Sequence, residues 1–211
     1  VFSYRRAGSA ASAMRLTTRF ASAIERAGYL HVSGISQAIS ERACDTVFEA
    51  IALARQHAVP VSYDLNYRPR LWPAARARAI AEATIAMSDL FLPSLDEASA
   101  LFGIGTADAL IDWSHQRGAR LVAVKAGADG AMVSDGRTRV AIPAHRVVAL
   151  DATGAGDCFA GVLVTRLVAG DLLVEAARAA CVAAALSTTG YGALSALPTW
   201  PQIAAAMNAA A

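Results

Sequence analysis

Residues 151–157 read Asp-Ala-Thr-Gly-Ala-Gly-Asp and run directly into the apolar pair Cys158-Phe159. Two glycines around an alanine let the backbone turn sharply. A helix beginning there aims unpaired N–H groups and the positive end of its dipole at one point, where an anion can be held. Asp157 then falls in the first turn, placed to accept a proton from a hydroxyl that attacks the anion. The same aspartate could instead cap the helix, and residue types alone leave both roles open. Spacing excludes two familiar phosphate-binding arrangements. A Walker loop needs a Gly-Lys pair, which the chain lacks, and a dinucleotide fingerprint needs a third glycine where Phe159 stands.

Such a loop has to be held by regular elements, and the chain alternates them. Short apolar runs at 29–33, 60–64, 89–93 and 121–125 have the character of buried strands, and segments 12–27, 40–57, 73–88 and 106–117 that of helices. In the second helix Cys44, Val47, Phe48 and Ile51 share one face, with Ser40 as N-cap. This order predicts a mostly parallel sheet with helices on both faces, one α/β domain over residues 1–211. After Lys125 the pattern becomes a hairpin, 131–134 and 137–142, around Asp135-Gly136. A strand at 147–150 is expected to lead into the glycine loop, followed by helices at 157–168 and 172–187. Ligands of open α/β sheets sit at the carboxyl ends of strands, and the polar clusters at 64–68, 94–97, 125–130 and 151–157 are all expected to follow strands.

Composition narrows the function class. With 55% hydrophobic and 17% charged residues in a chain of 211, a substantial core is expected rather than a disordered segment. Nineteen basic residues against 17 acidic ones are mixed along the chain, with 67–70 the main basic block, so nucleic acid is not an expected partner. The most apolar stretches are interrupted by Arg166, Glu175 and Arg178, short of the ~20 apolar residues of a membrane span. No export signal is visible, and a cytoplasmic protein is expected. Cys44, Cys158 and Cys181 are too far apart for a local redox or zinc motif, and His31, His57, His115 and His145 are isolated. Cys158 stands where a helix dipole can acidify a thiol, but no histidine is near it in sequence, and a packing role is expected, as it is for Trp72 and Trp113.

In order along the chain, Asp64-x-Asn66-x-Arg68, Ser94-x-x-Glu97, Lys125-x-Gly127-x-x-Gly130 and Asp151-x-Thr-Gly-Ala-Gly-Asp157 resemble the motif series of the ribokinase-like carbohydrate kinases. The resemblance covers nearly the whole chain. It implies a three-layer α/β fold and ATP-dependent phosphorylation of a small sugar hydroxyl. Asp157 corresponds to the base, and Gly154, Ala155 and Gly156 to the backbone anion hole. Glu97 corresponds to the glutamate linked through water to Mg2+ and phosphate. Ser94, Lys125, Gly127, Gly130 and Thr153 fall along the nucleotide, and Ala184 to Thr189, with Ser187, near the adenine. Asp151 with Gly192-Ala193 resembles the loop that holds a monovalent cation such as K+. Ser94 stands where many members have asparagine, and the region around Cys181, Val182 and Tyr191 follows the family only loosely. The family's first strands and its small β-sheet lid, often the dimer interface, have no counterpart here, so the chain is expected to be the C-terminal two-thirds of the fold.

The arginines address the substrate. A guanidinium fork suits a carboxylate, which neutral sugars lack. The stretch from Tyr4 through Arg6 to Ala10 resembles the segment with which 2-keto-3-deoxygluconate kinases hold the acid end of their substrate, and residues 64–72 resemble the second such segment, although fructokinases carry a similar one. Tyr4, Arg6 and Arg68 therefore point to a sugar acid, the alternative being that these arginines cover surface or pair with local carboxylates. Two alternatives remain at this level: a fructokinase or other sugar kinase of the same family, and a nucleotide-binding fragment without turnover.

Overall fold

The computed structural model describes residues 8–209, so Tyr4 and Arg6 lie outside the described residues. The chain divides into two compact units between Val122 and Ala123. The first contains α1 (Thr18–Glu25), β1 (Leu30–Ser33), α2 (Gly34–Ala38), α3 (Glu41–Gln56), β2 (Val61–Asp64), α4 (Ala74–Ile85), β3 (Leu90–Leu92), α5 (Leu95–Phe102), α6 (Ala107–Gln116) and the start of β4 (Leu121–Lys125). Helix starts are set by side-chain oxygens that satisfy otherwise unpaired N–H groups. Ser40 Oγ accepts from the Ala43 N–H at 3.0 Å, and Thr106 Oγ1 from the Ala109 N–H at 3.3 Å. Strands β1 to β4 pair in parallel, with Leu30 opposite Val61, Tyr63 opposite Phe91 and Leu90 opposite Leu121. Helix α3 packs on β1 and β2, the strands it joins. Every residue of β2 and β3 is buried, so both faces of the sheet are covered there, as parallel strands require. The rings of Tyr63 and Phe91 stack at 5.7 Å between centroids.

The second unit takes β4 onward to β5 (Ala131–Ser134), β6 (Arg139–Ile142), α7 (Ala155–Val168), α8 (Leu173–Ser187) and α9 (Trp200–Ala209). The six strands are hydrogen-bonded in sequence order, and β5 and β6 are antiparallel. Asp135 closes their turn by accepting from the N–H groups of Arg137 and Thr138 at 2.9 and 2.8 Å. Helices α7 and α8 pack along each other and α9 packs on α8, around Cys158, Ala179, Val182, Ala183 and Ile203. The alanines let these helices approach closely; Ala176, Ala177, Ala180 and Ala183 have no exposed surface. Cys44, Cys158 and Cys181 are all buried free thiols. Among the described residues no helix is long and apolar enough to cross a membrane.

Two expectations change. Residues 147–150 do not form a strand: Val148 is 83% and Leu150 55% exposed, and the N–H groups of Leu150 and Asp151 both donate to the Thr188 carbonyl, at 2.7 and 3.1 Å, instead of entering a ladder. The helix expected over 12–27 shrinks to α1, because Met14 takes an extended conformation after a single 3-10 turn at Ala11–Ala13.

Candidate active site

In the second unit the glycine loop is built from backbone. Helix α7 begins at Ala155, and its N-cap is Gly154 at φ 81°, in the left-handed region, with no side chain to satisfy the first N–H groups. A Cβ at Gly154 would meet the Ala193 Cβ at 2.9 Å, so the position demands glycine for space as well as for conformation. The Ala155 N–H, expected in the anion hole, donates instead to the Ala152 carbonyl at 3.2 Å; the other N–H groups of the first turn and the helix dipole can form a cradle for an anion. Lys125 Nζ lies 3.7 Å from where a Cβ on Gly156 would sit, which puts an ammonium beside the cradle. Asp157 is the third helical residue and exposed, and among the described residues its carboxylate makes no hydrogen bond or ion pair. The choice left open by the sequence is thereby narrowed: Gly154 holds the cap position, and Asp157 does not cap α7.

Two further segments frame that cradle. After β4, Ala126 N–H donates to the Gly130 carbonyl at 2.8 Å, closing a turn in which Gly127 and Gly130 have φ 57° and 93°. A Cβ on Gly130 would run into the Ile142 carbonyl and come within 2.6 Å of the Ala144 nitrogen. Asp151 fastens the other side, accepting from the Thr153 N–H and the Gly192 N–H, both at 2.9 Å. The Thr153 hydroxyl, together with these two N–H groups, holds the Asp151 carboxyl below the usual carboxylate range. The segment preceding this loop has no regular secondary structure, so the motif does not follow a strand as expected.

The residues expected near the adenine divide. Ser187 is 4% exposed and its hydroxyl donates to the Ala184 carbonyl at 2.8 Å, so its side chain is committed to the interior. Leu186, Thr189, Gly190, Ala196, Leu197 and Gln202 help line an open cleft of about 530 Å3 at the end of α8. Cys158 is not an acidified thiol: burial pushes it up, against a smaller opposing effect of the Ser187 hydroxyl.

The first unit has a cluster of its own, built from side chains. β2 ends at the buried Asp64, whose Oδ1 accepts from the Asn66 N–H at 3.2 Å while Asn66 adopts a left-handed φ of 39°. Such a turn suits asparagine. It presents Arg68, whose Nη1 donates to the Tyr67 carbonyl at 3.0 Å and to Glu97 Oε1 at 2.8 Å. Glu97 is set by α5, where Ser94 Oγ accepts from the Glu97 N–H at 3.2 Å. Three residues from two motifs therefore meet, and Ser94 acts here as a helix cap. Glu97 Oε2, Asn66 Oδ1 and Tyr63 OH are buried and make no hydrogen bond among the described residues. Burial pushes the Tyr63 phenol up, reinforced by the charges of Asp64 and Glu97 and by Cys44.

A divalent cation has one ready donor here, since a buried carboxylate oxygen without a partner favours a cation or a cation-bound water. No cluster of three or more His, Cys, Asp or Glu that could hold a metal occurs among the described residues. Such an ion would therefore complete its shell with ligand oxygens and water. Trp72 is buried, and Trp113 packs on Phe102 at 4.4 Å with Arg117 over its ring at 3.8 Å, in agreement with packing roles. His31 bonds Ser62 and His115 the Ala119 carbonyl, each at 2.8 Å. The Arg68–Glu97 pair had no signal in the sequence, because the partners are 29 positions apart.

Comparison with known proteins bears on the whole chain. The pfkB family carbohydrate kinase profile matches residues 2–200. The 2-dehydro-3-deoxygluconokinase of Bacillus subtilis (strain 168) is 30% identical over 98% of this chain and 64% of its own length, and the Fructokinase-1 of Oryza sativa subsp. japonica is 30% identical over 89% and 60%. Among solved structures, the PfkB protein from Polaromonas sp. JS666 superposes with a TM-score of 0.84 at 29% identity, over 96% of this chain and 65% of that one. Fructokinase from Vibrio cholerae O395, in its form with fructose, ADP and calcium ion bound, gives 0.79 at 30% identity, over 85% and 60%. The chain thus spans somewhat under two-thirds of the length of these relatives. A six-stranded sheet, an ordered series of loops along it and a family match over residues 2–200 lead to one assignment: this chain belongs to the pfkB family of carbohydrate kinases.

Proposed function

We propose that this chain carries out ATP-dependent phosphorylation of a sugar acid, with 2-keto-3-deoxygluconate as substrate and its 6-phosphate as product. Support for kinase chemistry comes from the family match and from the cradle at Gly154–Gly156, with Lys125 beside it. In this reading the anion hole takes the charge that develops on the transferred phosphate, and Asp157 accepts the proton of the attacking hydroxyl. An exposed carboxylate with no hydrogen bond or ion pair among the described residues suits that task. Gly127 and Gly130 bring backbone close along the nucleotide, Thr153 adds its N–H and hydroxyl beside Asp151, and the cleft at the end of α8 receives the base. A divalent cation, taken as Mg2+, neutralises phosphate charge when bound, and Glu97 reaches it through water. Asp151 and the 192–193 segment shape the loop for a monovalent cation such as K+. The protein works in the cytoplasm on a small molecule, without nucleic acid or membrane as partner.

The observation that carries the acid assignment is Arg68. Both of its hydrogen bonds among the described residues use Nη1, which leaves the Nη2 and Nε edge of the fork for a planar carboxylate. Relatives named 2-dehydro-3-deoxygluconokinase support the same choice. The test is ADP release by this chain with ATP, Mg2+ and, in turn, 2-keto-3-deoxygluconate, fructose and ribose. Turnover with the acid is expected. Turnover with fructose alone would overturn the acid assignment, and nucleotide binding without turnover on any of the three would favour the reading as a nucleotide-binding fragment.

A further inference from the structure

The Arg68–Glu97 ion pair is placed where the proposed reaction needs both charges for other purposes. Arg68 Nη1 holds Glu97 Oε1 at 2.8 Å, and the rest of each group is uncommitted among the described residues. On the arginine this is the Nη2 and Nε edge. On the glutamate it is Oε2, which is buried and has no hydrogen-bond partner among the described residues. The Glu97 side chain is 17% exposed and that of Arg68 38%, so the carboxylate is the more deeply desolvated member. Desolvation makes its charge expensive to leave uncompensated and makes any change of partner count.

We infer that this pair is an exchange element linking the acid end of the substrate to the cation. The inference rests on the sugar-acid reading given above. A carboxylate arriving on the free edge of Arg68 draws on the positive charge that now compensates Glu97. Glu97 then attracts a cation at Oε2 more strongly. A cation at Oε2 acts in the reverse sense, releasing Arg68 for the substrate. Linkage requires the two effects to be equal in size, whichever ligand binds first. A neutral sugar makes no demand on Arg68 and takes no part. Glu97 is on this account a positioning residue for the acid substrate as well as a donor towards the cation, and the two motifs at 64–68 and 94–97 form one unit of specificity.

The test is isothermal titration calorimetry of the full chain, without nucleotide, with 2-keto-3-deoxygluconate and separately with fructose, with and without Mg2+ at constant ionic strength. Mg2+ is expected to tighten binding of the acid by about five-fold or more and to leave fructose unchanged. Arg68→Lys keeps the charge but loses the two-edged fork; its fold is checked by thermal unfolding, and the gain from Mg2+ should disappear. Acid binding that ignores Mg2+ would overturn this inference and leave the acid assignment standing. Binding of fructose with none of the acid would overturn both. An unchanged Mg2+ gain in Arg68→Lys would overturn the route through the ion pair.

Discussion

The candidate sites of the two units are made in different ways. In the first unit, the end of β2 is a side-chain device: Arg68, Glu97 and Ser94 hold one another through charge and hydrogen bonds, and buried oxygens on Glu97 and Asn66 have no partner among the described residues. In the second unit, the cradle before α7 is a backbone device, in which the decisive features are a left-handed Gly154, a close approach of Ala193 and a lysine alongside. A backbone device can bind any group with the right charge and shape, which suits a phosphate common to many substrates. A side-chain device can be retuned by single substitutions, which on the proposed function suits a choice among sugars.

Breaking the loop of the second unit should have the largest effects. Asp157→Asn is expected to lower turnover about 100- to 10,000-fold while changing stability by no more than about 0.5 kcal/mol, since the carboxylate has no partner among the described residues. Steady-state kinetics with thermal unfolding checks both, and near-normal turnover would reject the base assignment. Gly154→Ala forces a Cβ into a left-handed position and against Ala193, so a loss of about 1–2 kcal/mol of stability is expected, read by denaturant unfolding together with weakened ATP binding. A mutant as stable as the parent would mean the loop can rearrange.

On the side-chain side the effects on stability are smaller. A double-mutant cycle with Arg68→Ala and Glu97→Ala is expected to give a coupling of about 0.2–1 kcal/mol, because Arg68 is partly solvent-exposed. A null result would make the pair a matter of specificity alone. The smallest effect concerns Asp151. Its folded-state carboxyl is held below the usual range, so its fastening of the Gly192 N–H is complete above the unfolded value of about 3.9 and is lost only as pH falls through the lower folded value. Protection of the Gly192 amide from exchange should therefore persist at about pH 5 and fall only under stronger acid. In Asp151→Asn that acid dependence should vanish.

Much of this was legible in the sequence, for identifiable reasons. The strand over Leu121–Lys125 and helix α3 with its Ser40 cap carry strong periodic and capping signals, and both occur as read. The glycine cradle was legible because only glycine serves a left-handed turn with no room for a Cβ. Helix α5 carries a capping-box spacing in Ser94-x-x-Glu97, a signal hidden because the same two residues also match a ligand motif. Helix α9 carries the same signal in Thr199 and Gln202, where Gln202 Oε1 accepts from the Thr199 N–H at 2.7 Å. Val147-Val148-Ala149-Leu150 misled because a β-branched run fits a strand even where its backbone is tied to Thr188. The Arg68–Glu97 pairing was out of reach, since charges separated by many residues meet only once the fold is known.

The three buried thiols offer a use unconnected with catalysis. Cys44 lies in the first compact unit, and Cys158 and Cys181 in the second. Each thiol is pushed up by burial, Cys181 to about 11. A thiol-directed reagent can modify them only when the surrounding structure opens, so the rate of alkylation at each position becomes a clock for local unfolding. Mass spectrometry of the three peptides would then show whether the two units open together or one at a time, with no label added to the chain.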